Sequence, residues 1–549
     1  MGKASSSIAD KILRASVLVA VAHLCLKFAG LIQTRVATQY LDSSLYEPIM
    51  VVAFSGILNS IYLIGQEVIH PTFLSIFMKA KEEEGEDAAW HFTNVTLTFQ
   101  SLVLVAVVAV IVCFPDFFIH LFTQWTAEGN PTEYRLLRVS LQVMAPALLF
   151  LSLGSTTYII LNGYKKFFLA AFGDASTKIC IIVGLVLGLR VFGWDYHALL
   201  FSIVVGSVAK VATHLLGMLG DLRRLRPSLD WRNPAFREML LLMLPLVVGI
   251  VFAKVRDNFN NIYILTHIPQ QGVLMANDLG RKLFATIQWL VPYALQIALY
   301  PFLCELVSRN DREKLGEVLG TSSRLLLAVF VPVAVILSVL AVPIAVLFFL
   351  GGKTGLQIAA WTGLATACYC LVLPAAAVEC VLMQGFFADR RTISVTAIGL
   401  LTSLASMVVS YVFILHVGVD AQGALLVVAL GFALTRWVKT IALSLYIRRK
   451  IPMFPTTETL IFLGRLVVLA ALVWVAAWGA SRGMERLLPD GLQEALNGTG
   501  TELSRSRLLL RLVCSGFAGG VAFLLGTFLV GLREPMQMLR WTLHRKTAK

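Results

Sequence analysis

Residues 325–350 read LLLAVFVPVAVILSVLAVPIAVLFFL, with no charged side chain in the run. As a helix this stretch extends about 39 Å at ~1.5 Å per residue, enough to cross a hydrocarbon layer of ~30 Å. Backbone polar groups in that layer must be satisfied within the segment, which a helix does. Leu102–Phe114, Ile179–Leu189 and Leu460–Trp478 are similar blocks, almost free of charge. Of 549 residues, 58% are hydrophobic and 14% charged, and the mean hydropathy is +0.79. A soluble chain of this length needs far more charge on its surface.

The hydropathy pattern predicts an all-α integral membrane protein with about 14 transmembrane helices. The expected spans are 11–40, 46–79, 90–114, 134–162, 167–191, 196–220, 236–266, 274–308, 318–350, 357–386, 390–416, 421–447, 458–481 and 507–532. An even number places both termini on one side. Short connections on that side carry Lys3, Lys11 and Arg14, then Lys79 and Lys81, Lys165 and Lys166, and Arg223, Arg224, Arg226, Arg232 and Arg237. They continue with Arg309, Arg312, Lys314, Arg390, Arg391, Arg448, Arg449 and Lys450, and a basic tail from Arg533 to Lys549. Roughly 25 basic residues against about 7 opposite predict cytoplasmic termini. The net charge of +14 is then topology, spread over many loops rather than gathered for nucleic acid. The first span is too long for a cleavable signal and contains Lys27 and Arg35. The eight cysteines sit singly in apolar helices and read as packing, and Cys368-Tyr369-Cys370 has no second pair for zinc.

One pattern occurs twice. His70-Pro71-Thr72-Phe73-Leu74 precedes Lys79 and the charged turn Lys81–Asp87; Tyr300-Pro301-Phe302-Leu303 precedes Arg309 and the charged turn Asp311–Lys314. Leu161-Asn162-Gly163-Tyr164 with Lys165 and Lys166 pairs likewise with Met383-Gln384-Gly385-Phe386 and Arg390-Arg391. Matching segments in matching orientation imply two pseudo-symmetric six-helix bundles, residues 1–225 and 226–452, with 453–549 adding two helices and a cytoplasmic tail.

Ionisable groups inside spans are costly toward lipid and normally face a cavity or a partner. The first span carries Lys27 and Arg35, about 80° off full register after about 800° of rotation. The seventh carries Lys254, Arg256 and Asp257; the eighth carries Asp278, Arg281 and Lys282, with the acid spaced to hold both bases. Acidic counterparts are few: Glu47, Glu67, Asp257 and Asp278, assigned to gating or ion pairing. The surplus is positive and falls where the repeated halves are expected to meet. Such a cavity suits an anionic substrate such as a phosphate or pyrophosphate head group. Snorkelling is the competing reading for Arg35 and Lys282, near span ends. Asp174 and Lys178, spaced i, i+4, are expected to pair with each other; Lys210, Glu379, Arg436 and Lys439 either line the cytoplasmic mouth or stabilise packing, the structural role being favoured.

Enzyme signatures are missing from the sequence. Gly351-Gly352-Lys353-Thr354 lacks the earlier glycine of a phosphate-binding loop, having Leu347 there, and no His/Cys/Asp cluster has metal-ligand spacing. No metal or cofactor is expected. Transport must then draw on a gradient, the membrane potential or consumption of product.

Gly280-Arg281-Lys282-Leu283-Phe284, then Pro292 and Ala298-Leu299-Tyr300-Pro301-Phe302-Leu303, resembles the MviN/MurJ family of lipid II flippases, part of the multidrug/oligosaccharidyl-lipid/polysaccharide exporter superfamily. Gly85-Glu86-Asp87-Ala88, Leu326 to Pro332, Gly385-Phe386-Phe387-Ala388, Gly418 and Gly423 also match, over roughly residues 11–450. The resemblance implies 14 helices in two lobes, a cationic central cavity, and a lipid-facing groove made by the last two spans. It implies a flippase moving an undecaprenyl-pyrophosphate-linked peptidoglycan precursor between leaflets by alternating access. The setting would be the bacterial inner membrane, with the chain a monomer beside membrane lipids and cell-wall synthesis proteins. The substrate-binding candidates are Lys27, Arg35, Lys254, Arg256, Arg281 and Lys282.

The family has essential arginines in its first, second and eighth spans. Arg281 or Lys282 matches the eighth and Lys27 one basic position of the first, the next falling near Gln33. The arginine-rich turn of the second aligns near Ile61-Tyr62, with no base, and the acidic residue after the first falls near Glu47 or Pro48. An O-antigen or capsule-type oligosaccharide-lipid flippase is the nearest alternative. A cation-coupled drug exporter needs an acid cluster in the first half, where only Glu67 and Asp174 stand. A membrane-embedded transferase needs paired carboxylates or a His-Asp motif, and the sequence offers neither.

Overall fold

The computed structural model describes residues 25–164, 166–288, 293–389, 392–498 and 503–532. The start of the first expected span, Lys165, Arg390, Arg391 and the tail from Arg533 lie outside the described residues, as does Pro292. Regular structure among the described residues is helical, apart from one isolated bridge between Gly351 and Thr354.

Among them, twelve helices are long and apolar enough to cross a membrane. The two further expected spans, the first and the eighth, are described only in part. Residues 25–40 are the described part of the first, α1. The eighth contains two helices of 16 residues, α8 (Val273–Gln288) and α9 (Tyr293–Ser308). The other helices of the first half are α2 (Ser43–Glu83), α3 (Glu86–Cys113), α4 (Pro131–Gly163), α5 (Phe167–Arg190), α6 (His197–Gly217) and α7 (Pro234–His267). Those of the second are α10 (Arg312–Phe349), α11 (Leu356–Ala388), α12 (Ile393–Val417), α13 (Ala421–Arg448), α14 (Thr457–Leu487) and α15 (Arg505–Val530).

Local chemistry sets the ends. Pro131 and Pro234 open α4 and α7, where a missing N–H costs nothing. Side chains of Asn233, Asp311 and Asp420 accept the backbone N–H of Phe236, Lys314 and Gly423 at 3.0, 3.2 and 2.9 Å, capping α7, α10 and α13. Gly418, with φ of 72°, stops α12 in a left-handed conformation that glycine adopts freely. Within α2, Glu47–Leu58 is a π-helical run of 12 residues.

Packing divides the chain into two units, Met1–Met275 and Ala276–Lys549. The repeat-based boundary at 225/226 differs from this division by α7, which packs on α2 in the first unit. The first unit has an aromatic core in which Phe73 stacks on Phe92 at 5.1 Å, with Phe77 and Trp90 also buried. Helices α5 and α6 approach closely because small residues face each other: a Cβ on Gly206 would lie 2.8 Å from the Thr177 carbonyl oxygen, and one on Gly188 2.5 Å from Ala198 Cβ. In the second unit Leu303, Leu319, Tyr369, Leu373 and Phe386 form the core. Phe73 and Leu303, which correspond in the repeated pattern, are both fully buried. Elsewhere α7 exposes Leu240, Leu241, Leu244 and Val248, and α15 exposes Val513, Phe517, Leu525 and Leu529. Apolar surface of this extent belongs against hydrocarbon.

Candidate functional site

The cations of α7 are engaged from within the first unit. Lys254 Nζ lies 2.7 Å from Glu67 Oε1 of α2, and Asn258, one turn on, donates to Ser60 Oγ at 2.8 Å. Arg256 pairs with its neighbour Asp257 at 2.6 Å, although adjacent residues on a helix do not normally face each other. Lys27 and Arg35 are half-buried on α1. Glu47 is buried, and its Oε1 accepts the N–H of Gly272 and Met275 at 2.9 and 3.0 Å. Its carboxylate thus satisfies backbone donors of an opening helical turn, where negative charge is favoured.

A denser polar centre lies between α2, α4, α5 and α6. The expected Asp174–Lys178 pairing is overturned: Asp174 takes Lys210 of α6 at 2.7 Å. Lys178 Nζ instead donates to the Leu26 carbonyl of α1 at 2.6 Å. Helical spacing made the i, i+4 partner available, but the fully buried ammonium of Lys210 has the stronger need of a carboxylate. Lys210 also donates to Tyr62 OH at 3.3 Å, and Ser155 Oγ donates to the same hydroxyl at 2.9 Å. His214 bridges Thr157 Oγ1 at 2.8 Å and the Ala170 carbonyl at 3.1 Å.

In the second unit Lys282 pairs with Asp278 at 2.7 Å, the expected i, i+4 arrangement. Arg281, half-buried, makes no ion pair with a described residue. Glu379 of α11 is buried between two cations of α13, Arg436 at 2.7 Å and Lys439 at 2.6 Å. A cavity of about 630 Å³ lies on the same unit, bounded by Val331, Leu371, Pro374, Phe413, Leu430 and Trp437 among others. Its lining is apolar and offers nothing to a sugar or phosphate.

Sequence reasoning passed over Arg511, although a lone arginine within LLLRLVC is itself a signal. It is buried in α15, donating to Ser481 Oγ at 2.9 Å and Asp490 Oδ2 at 3.1 Å, and pairs with Glu485 at 3.3 Å.

Comparison with known proteins places the chain. A solved structure of the lipid II flippase MurJ in an inward closed conformation matches with a TM-score of 0.68 at 17% identity, covering 93% of this chain and 98% of that one. An inward-facing multidrug resistance transporter of the MATE family, MOP superfamily, matches with a TM-score of 0.63 at 12% identity, covering 79% of this chain and 98% of its own. Both likenesses are of fold. In sequence, the lipid II flippase MurJ of Burkholderia cenocepacia is 25% identical over 413 residues, 74% of this chain and 79% of that protein. The family model described as lipid II flippase MurJ matches residues 37–489. With that match covering most of its length, the chain belongs to the MurJ family of lipid II flippases.

Proposed function

We propose that this chain carries lipid II from the inner to the outer leaflet of a bacterial inner membrane by alternating access, with both termini cytoplasmic. Residues 1–225 and 226–452 act as the repeated halves and 453–549 as the added helix pair. Lys27, Arg35, Lys254 and Arg256 of the first unit and Arg281 and Lys282 of the second take up the pyrophosphate and sugars, while the undecaprenyl tail stays in lipid along α14 and α15. Glu47, Glu67, Asp257 and Asp278 hold or release these cations as the halves rock.

Beside family membership, the observation that carries this reading is the ionisable groups at span depth. Lys254 and Lys282 are held by acids at 2.7 Å, while Arg281 has no such partner among the described residues. Positive charge lowers the cost of carrying about two negative charges through a low-dielectric region. Purified protein in vesicles, scored for movement of labelled lipid II between leaflets, tests it. Arg281→Ala/Lys282→Ala is expected to abolish translocation while leaving the protein folded. Full activity in that double variant overturns the assignment of the pair.

A further inference from the structure

The charge around Asp174 does not balance. Asp174 interacts electrostatically with Lys178 and Lys210, and also with Lys27. Lys178 and Lys210 therefore crowd one carboxylate, with Lys27 within its electrostatic reach. Lys178 stands near the middle of α5, about 17 Å from either end at ~1.5 Å per residue. At that depth an ammonium cannot reach water by stretching along the helix, so snorkelling does not explain it.

The donors tell the same story. Lys210 spends its ammonium on Asp174 and Tyr62 and is fully buried. Lys178 has three donors and uses one, on the Leu26 carbonyl, among the described residues. Gly30 leaves open the space beside it: a Cβ there would lie 3.0 Å from Lys178 Nζ. Asp174 is 36% exposed and Lys178 half-buried, so the centre is not sealed. A half-buried ammonium with two donors unused among the described residues, beside a second lysine on one carboxylate, is what a phosphate oxygen needs.

We propose that Lys27, Lys178 and Lys210 form an anion subsite within the first unit, ordered by Asp174 and Tyr62, that takes the diphosphate of the lipid-linked substrate. This deepens the reading above and rests on it for the identity of the ligand. Lys178 makes the direct contact; Lys210 is a positioning residue acting through Asp174. Asp174 competes with the diphosphate for the lysines, so its neutralisation strengthens anion binding where a purely structural carboxylate would only lose stability.

The test uses the full chain in nanodiscs, with undecaprenyl pyrophosphate as probe and undecaprenol, which has the same tail without phosphate, as control. Lys178→Gln is expected to weaken pyrophosphate binding about tenfold, Lys178→Arg to keep it within about threefold, and both to leave undecaprenol binding unchanged. Asp174→Asn is expected to tighten pyrophosphate binding several-fold; if that variant does not fold, Lys178→Gln decides alone. Unchanged pyrophosphate affinity in Lys178→Gln, or equal loss of undecaprenol, overturns the subsite. Lipid II translocation by the wild type is scored separately. A chain that translocates no lipid II yet loses pyrophosphate binding in Lys178→Gln retains the subsite and loses the function proposed above; one that translocates lipid II with Lys178→Gln binding normally retains the function and loses the subsite.

Discussion

Arg511 and Lys178 are both cations inside apolar helices, and their surroundings could hardly differ more. Arg511 has two carboxylates, Asp490 at 3.1 Å and Glu485 at 3.3 Å, with Ser481 taking another of its donors. Lys178 has one carbonyl oxygen at 2.6 Å and shares Asp174 with two further lysines. The first arrangement meets the cation with two opposite charges and ties α15 to α14 and to Asp490 between them. The second, among the described residues, leaves two donors of Lys178 unused. Glu379, one carboxylate against Arg436 and Lys439, stands between them. What separates a staple from a binding group is the balance of partners rather than the presence of a buried charge.

The strongest way to break this contrast is to remove Arg511. Arg511→Ala strands the wholly buried Asp490 carboxylate and leaves Glu485 only Arg482 at 3.4 Å, and is expected to cost about 3–5 kcal/mol. Thermal unfolding of the purified protein measures it, and loss of less than about 1 kcal/mol would show that the network is not saturated. Replacing all three charges, as Arg511→Met, Asp490→Asn and Glu485→Gln, is expected to recover part of that loss, since no buried charge is then left unpaired. Next in size, Lys178→Gln is expected to lower stability by no more than about 1 kcal/mol, the net worth of one hydrogen bond, because it also relieves repulsion among the lysines. A loss comparable with that of Arg511→Ala in the same melt would make Lys178 a staple after all.

The smallest effect belongs to a charge outside the spans. The Lys314 backbone N–H, followed by its ammonium, holds the Asp311 carboxyl below the usual carboxylate range. A depressed carboxyl contributes stability above its unfolded value of ~3.9 and loses it as the pH falls through the lower folded value. Wild type and Asp311→Asn are therefore expected to differ slightly at neutral pH and to melt together once the pH is well below ~3.9. A difference that grows on acidification would reverse the sign.

The spans were legible because they rest on a one-dimensional quantity. A run such as 325–350 has one stable state in hydrocarbon, and α10, Arg312–Phe349, contains nearly all of it. Local charge spacing was legible where the partner lay on the same helix, as for Asp278 and Lys282. It failed for Asp174, whose partner Lys210 is brought by the tight α5–α6 packing. Lys254 and Glu67 could each be singled out, but only the seating of α7 on α2 makes them a pair. Tyr62 shows the same limit. On sequence it marks a turn without a base; in the fold Lys210 comes to its hydroxyl from 148 positions along the chain.

The wide turns of Glu47–Leu58 bear on how α2 can move. Bonding from i to i+5 puts each of these peptide groups one step out of the ordinary ladder. If one of them slipped back into step and its neighbour fell out, the fault would migrate along the rod as a dislocation does through a metal. Few bonds would be open at any instant, and only the residues the fault had crossed would be turned, each by about a residue's worth. Tyr62 and Glu67 lie just past its end, and a fault that travelled beyond them would swing both without α2 having to break.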